Sequence, residues 1–116
     1  MKQFFTFLIF IFTITFVHSQ GQINFPGEGT YGSICPFGED LVYLMVDDGM
    51  FYTSNDGGLN WTENNIGISE DFFDMVFFDE ELGFAVGSNG TIVKTMDSGQ
   101  NWSIVPSGTT ENLFSI

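Results

Sequence analysis

The sequence predicts an all-β chain built from β-propeller blades, and three observations carry that prediction. First, Ser54-Asn55-Asp56-Gly57-Gly58-Leu59-Asn60-Trp61 recurs 41 positions later as Thr95-Met96-Asp97-Ser98-Gly99-Gln100-Asn101-Trp102. Self-similarity at a fixed step of about 20 to 50 residues marks a repeat architecture, in which one supersecondary unit is copied and stacked. Second, the step extends beyond the octet: Gly49 falls on Gly90, Phe51 on Ile92, Tyr52 on Val93, Tyr43 on Phe84, Met45 on Val86 and Phe37 on Phe78. Third, each repeat divides into four short strand-like runs, and the middle runs are apolar on both sides, as in a sheet covered on both faces. A four-stranded unit sandwiched between copies of itself is a propeller blade.

The chain opens on a targeting segment rather than on a blade. Met1-Lys2-Gln3 gives a short basic start, Phe4 to Val17 is an almost unbroken apolar run, and Val17-His18-Ser19 places modest side chains at a cleavage position. Residues 1–19 therefore read as a secretory signal peptide cut between Ser19 and Gln20. The run is short of the roughly 20 residues that a membrane-spanning helix needs, so no membrane span is expected after cleavage. Residues 20–29 form a polar lead-in, and residues 30–116 a partial propeller. Its repeats occupy about 30–66 and 69–107, and Thr110-Glu111-Asn112-Leu113-Phe114-Ser115-Ile116 repeats Ser69-Glu70-Asp71-Phe72-Phe73-Asp74-Met75 as the start of a third.

In the first repeat, strands are expected near Tyr31 to Phe37, Leu41 to Val46, Met50 to Ser54 and Trp61 to Glu63. The second should place them at Phe72 to Phe78, Leu82 to Gly87, Thr91 to Thr95 and Trp102 to Val105. Asn89-Gly90 is a preferred pair for a tight type I′ hairpin, whose two central residues both take positive φ, and Asp48-Gly49 meets the same demand one repeat earlier. Propellers close with about four to eight blades, so two repeats cannot complete a ring. The open end is expected to leave two apolar sheet faces and an unpaired edge, and the partners expected first are further blades or other copies of the chain.

The octet follows the Asp-box pattern of Ser or Thr, any residue, Asp, any, Gly, any, Thr or Asn, Trp. Ser54 and Thr95 open it, Asn60 and Asn101 close it, and each remaining position has a physical task. Asp56 and Asp97 lie in a turn between strands, where a short carboxylate accepts bonds from nearby backbone N–H groups. Gly58 and Gly99 supply positive φ. Trp61 and Trp102 place large apolar rings between sheets. These residues are expected to be structural brackets, neither catalytic nor metal-binding.

Composition narrows the function classes. The chain carries 15 Asp and Glu against 2 Lys, for a net charge of -13. His18 and Lys2 leave with the signal segment, so the remainder has no histidine, no arginine and Lys94 as its one basic residue. Such a surface repels phosphate backbones, which excludes nucleic acid as the expected partner. Without histidine no Ser-His-Asp, Cys-His or zinc-histidine arrangement can form, and no phosphate loop is present. The acidic groups Glu39-Asp40, Asp47-Asp48 and Asp79-Glu80-Glu81 fall on hairpin turns and do not follow the spacing of a calcium loop, so no cofactor or metal is expected. Cys35, the single cysteine, falls on Val76 of the next repeat and is expected to be a small buried apolar thiol.

With the octets at this spacing, Gly83-Phe84-Ala85-Val86-Gly87 and Gly90-Thr91-Ile92-Val93-Lys94-Thr95 resemble the BNR-type repeats of the photosynthesis-system-II-assembly-factor-like propellers. The likeness covers roughly residues 29–116 and departs at Asp47-Asp48-Gly49-Met50, where that family has a more polar glycine turn followed by Thr or Ile. It implies an exported, non-catalytic binding, scaffold or assembly module, secreted, periplasmic or at the cell surface, that meets a protein or glycan. Asp boxes also occur in sialidases, so the alternative expectation is the start of a sialidase-like glycosidase whose active site lies in other blades. Sialidases hold the substrate carboxylate with three arginines, and this chain has none.

Overall fold

In a computed structural model, residues 25–26 and 30–116 are described; the expected signal segment at 1–19 and most of the expected lead-in at 20–29 lie outside them. The described chain forms eight strands: β1 (Tyr31–Phe37), β2 (Leu41–Val46), β3 (Met50–Ser54), β4 (Thr62–Asn65), β5 (Phe72–Phe77), β6 (Gly83–Gly87), β7 (Ile92–Thr95) and β8 (Ser103–Val105). They pair as two four-stranded antiparallel meanders, in the order β1-β2-β3-β4 and β5-β6-β7-β8. The expected strands are all present, with ends moved by a residue or two. Trp61 and Trp102 sit just before β4 and β8 rather than inside them, because each completes the loop of its octet. Phe78, Leu82 and Thr91 likewise fall in turns.

The 41-residue step governs register as well as sequence. Both first strands break register at the same place, between Tyr31 and Ser33 in one sheet and between Phe72 and Asp74 in the other. Those first strands lie against each other, and Ser33 Oγ donates to Asp74 Oδ1 across them at 3.4 Å.

The sheets stack face to face. Cys35, Phe37, Leu41, Tyr43, Met45 and Phe51 of the first pack against Phe72, Met75, Phe77, Ala85, Val93 and Trp102 of the second. Tyr43 stacks on Phe77 at 3.7 Å between ring centroids and, through its hydroxyl, donates to the Glu80 carbonyl at 2.7 Å. Full burial of rings such as Tyr43 and Phe51 contributes about 2 kcal/mol each, which makes this layer the main source of cohesion. Cys35 is half-buried at its margin rather than fully enclosed, and burial raises its thiol pKa.

The outer faces differ. On the first sheet Leu44, Val46 and Tyr52 are buried, with Phe25, Tyr31, Ile34, Met50 and Trp61 packed around them, so this face is not the open apolar surface that the repeat count suggests. Phe25 contributes a ring to that cluster, 5.1 Å from Tyr31, without forming a strand. On the second sheet, Val76, Phe78, Phe84, Val86 and Ile92 take the positions of Cys35, Phe37, Tyr43, Met45 and Phe51. There Phe78 is 65% exposed, whereas Phe37, its counterpart, is half-buried by the neighbouring sheet.

Candidate functional site

Each octet bridges the third and fourth strands of its sheet, and both are held by a matching core of bonds. In the first, Ser54 Oγ donates to Asp56 Oδ1 at 2.8 Å and accepts from the Gly58 amide at 2.8 Å. Asp56 Oδ1 accepts the amides of Leu59 and Asn60 at 3.1 and 2.8 Å, and Oδ2 accepts Asn60 Nδ2 at 2.7 Å. In the second, Thr95 Oγ1 donates to Asp97 Oδ1 at 2.9 Å and accepts from the Gly99 amide at 2.9 Å. Asp97 then accepts the Asn101 amide and Asn101 Nδ2, each at 2.8 Å. Ser54 and Thr95 are almost fully buried, so their hydroxyls need these partners.

The electrostatics follow from the bonds. Every donor stabilises the charged carboxylate: Asn60, through its side chain and backbone, and then Ser54 bring the Asp56 pKa from 3.8 down to about 2. Asp97 is lowered by the matching donors, Asn101 first. Carboxylates so strongly acidic and so fully occupied as acceptors are poor general bases near neutral pH.

Positive φ is expected at Gly58 and Gly99, and the structure has it at two consecutive residues in each octet. Gly57 and Gly58 have φ of 69° and 91°; Ser98 and Gly99 have 61° and 83°. Ser98 could not be picked out by residue type. It is held by tertiary bonds, its amide donating to the Glu81 carbonyl at 3.1 Å and its hydroxyl to the Glu80 carbonyl at 2.6 Å. Gly57 makes the equivalent amide bond to Asp40 at 2.8 Å. Both octets are thus docked on the turn between the first two strands of their own sheet. Gly99 meets a further demand, since a Cβ there would lie 2.1 Å from the Phe51 ring.

The hairpins at the opposite rim have left-handed central residues, with φ of 58° and 68° at Asp48 and Gly49 and of 54° and 69° at Asn89 and Gly90. The Met50 amide closes the first on Asp47 O, and the Thr91 amide closes the second on Ser88 O at 3.0 Å. The acidic groups at Glu39-Asp40 and Asp79-Glu80-Glu81 lie on the octet rim, and Asp47-Asp48 on the hairpin rim. Asp79 is lowered by the amides of Leu82 and Glu81, which donate to its Oδ1 at 2.7 and 2.8 Å. Lys94 rests over the Phe84 ring at 5.8 Å on the open face of the second sheet. Among the described residues no group of three or more His, Cys, Asp or Glu side chains is placed to hold a metal ion. A surface depression of about 190 Å³ beside the first octet is lined by Asn55, Asp56, Asn60, Trp61 and Thr62. What this arrangement offers chemically is rigid loops and acidic rims.

Solved structures with a similar fold exist. YCF48 bound to D1 peptide superposes with a TM-score of 0.63 at 23% identity, covering 72% of this chain and 28% of that one. YCF48 from Cyanidioschyzon merolae gives 0.62 at 20% identity, covering 74% and 29%. The two sheets are β-propeller blades. The chain spans less than a third of the length of either structure. No protein-family model and no curated protein matches it.

Proposed function

We propose that this chain is the blade-forming part of an exported, non-catalytic propeller that binds a protein partner, in the manner of an assembly factor. The observation that carries the reading is the use to which the octet carboxylates are put. Asp56 and Asp97 spend their acceptor capacity on their own loops, which is the work of Asp-box brackets and leaves rigid rims free to present a surface. A peptide bound to a propeller of the same fold supports a protein segment as ligand. The net charge of -13 favours a basic segment, and the exposed apolar face around Phe78 fits a further blade. Export rests on residues 1–19.

Immobilised full chain, probed with an array of basic, neutral and acidic peptides, should retain basic ones and release them as salt rises. Equal retention of all three classes, or no retention at low salt, would sink the reading. Amino-terminal sequencing of the product recovered from culture should begin at Gln20.

A further inference from the structure

The turn between β6 and β7 carries chemistry that binding does not use. A Cβ at Gly90 would lie 2.0 Å from the Thr109 carbonyl oxygen, so only glycine fits there. Asn89 has φ 54° and ψ 31°, a left-handed conformation that, among residues with side chains, Asn and Asp tolerate best. Glu70 decides between those two. Its Oε2 accepts Asn89 Nδ2 at 3.1 Å and Ser88 Oγ at 2.5 Å, and an aspartate at 89 would set one carboxylate against another. The first repeat supplies the control, because its turn is Asp48-Gly49 and the residue one step before Glu70 is Gly29. By the 41-residue step, asparagine goes with glutamate in one repeat and aspartate with glycine in the other.

This turn also anchors the segment that begins the third repeat. The Asn89 amide donates to Asn112 Oδ1 at 3.1 Å, and the Leu113 amide donates to the Gly87 carbonyl at 2.9 Å.

An exposed asparagine followed by glycine is chemically labile, because no side chain shields the glycine nitrogen. The Gly90 nitrogen gives up its proton and attacks Asn89 Cγ, the new C–N bond closes a succinimide as ammonia leaves, and water opens the ring to aspartate or isoaspartate. Ring closure requires the Gly90 nitrogen on the same side of the Cα–C bond as Cβ. At ψ 31° it lies nearly opposite, so the closed turn cannot react.

We propose that Asn89 is a spontaneous deamidation site that the folded turn keeps shut, and that Glu70 prevents the turn from re-forming once the amide has become an acid. Conversion marks chains whose hairpin rim has opened, and it releases the hold on residues 110–116.

Two measurements on the full chain test this. Incubation at mildly alkaline pH, in native buffer and in denaturing urea, is followed by peptide mapping with mass spectrometry at Asn89. The native chain should convert at least about tenfold more slowly, the factor that an opening cost of ~1.4 kcal/mol imposes. Equal rates in the two conditions overturn the shielding. Separately, Asn89→Asp should lower the urea midpoint clearly when Glu70 is present and much less in a Glu70→Gln background, where the new amide can donate to the new carboxylate. An equal shift in both backgrounds overturns the role given to Glu70.

Discussion

The two octets share the bonds that hold their carboxylates to Ser54 or Thr95 and to Asn60 or Asn101, in different surroundings. Around the second, Gly99 lies under Phe51, and Trp102 meets the rings of Phe51 and Phe77 edge-on at 5.3 and 6.2 Å. Trp102 Nε1 donates to the Gly99 carbonyl at 3.0 Å. Around the first, Trp61 packs on the cluster of Leu44, Val46 and Tyr52, and its Nε1 is buried with no hydrogen-bond partner among the described residues. The carboxylate bracket is therefore a local device that closes wherever its residues occur, whereas the fit of the tryptophan depends on the sheet beside it. The same distinction separates the two sheets: each has its turns complete, but only one layer between them is fully packed.

The sharpest way to break this comparison is to truncate one equivalent residue in each sheet. Phe51 is 0% exposed between the sheets, and Ile92, one step later, lies half-buried on the open face. Phe51→Ala should cost about 3–5 kcal/mol, as deletion of a fully packed ring does. Ile92→Ala should cost about 1–2 kcal/mol, because less of its surface leaves water on folding. Urea denaturation of both variants decides the matter, and equal losses would mean that the layer between the sheets is not where the stability lies.

What the sequence could reveal follows the same division. The octets, the hairpins at Asp48-Gly49 and Asn89-Gly90 and the four-strand division are written in residue types with few conformational options, so local chemistry exposes them. Less legible were features that arise only when separate segments meet. Positive φ at Ser98 depends on the Glu80 and Glu81 carbonyls, and the hydroxyl of Tyr43 finds its acceptor in the other sheet. The register breaks after Tyr31 and Phe72 have no signature in residue type. The cover over Leu44, Val46 and Tyr52 could not be foreseen from a count of repeats, since it comes in part from Phe25 in the lead-in.

Acid should test whether the brackets are equivalent. Asp56 and Asp97 both have folded pKa values below the ordinary 3.8, so the unfolded chain binds protons first as pH falls. Their contribution is complete above 3.8 and fades as pH drops through the folded value, about 2 for Asp56. Urea midpoints measured from about pH 5 down to about pH 2 should decline for the parent chain and decline less steeply for Asp56→Asn and for Asp97→Asn. Asp79, also lowered, leaves a residual slope in both. If the double variant kept the full decline, the brackets would not be coupled to folding.

The smallest effect discriminates most finely, because it isolates a bond that the second octet makes and the first lacks. Trp102→Phe removes the Nε1 bond to Gly99, a loss of about 1 kcal/mol beyond the change in apolar area. Trp61→Phe removes an indole N–H that is buried and unpaired among the described residues, so no bond to them is lost, and a desolvation penalty of about 1–3 kcal/mol is relieved. The two substitutions delete the same atoms, so their areas nearly cancel in the difference, and Trp61→Phe should be the milder, or even stabilising. Equal thermal midpoints for the two variants would show that Trp61 Nε1 is satisfied in solution, and would remove the distinction between a bracket that closes alone and a tryptophan that needs its neighbour.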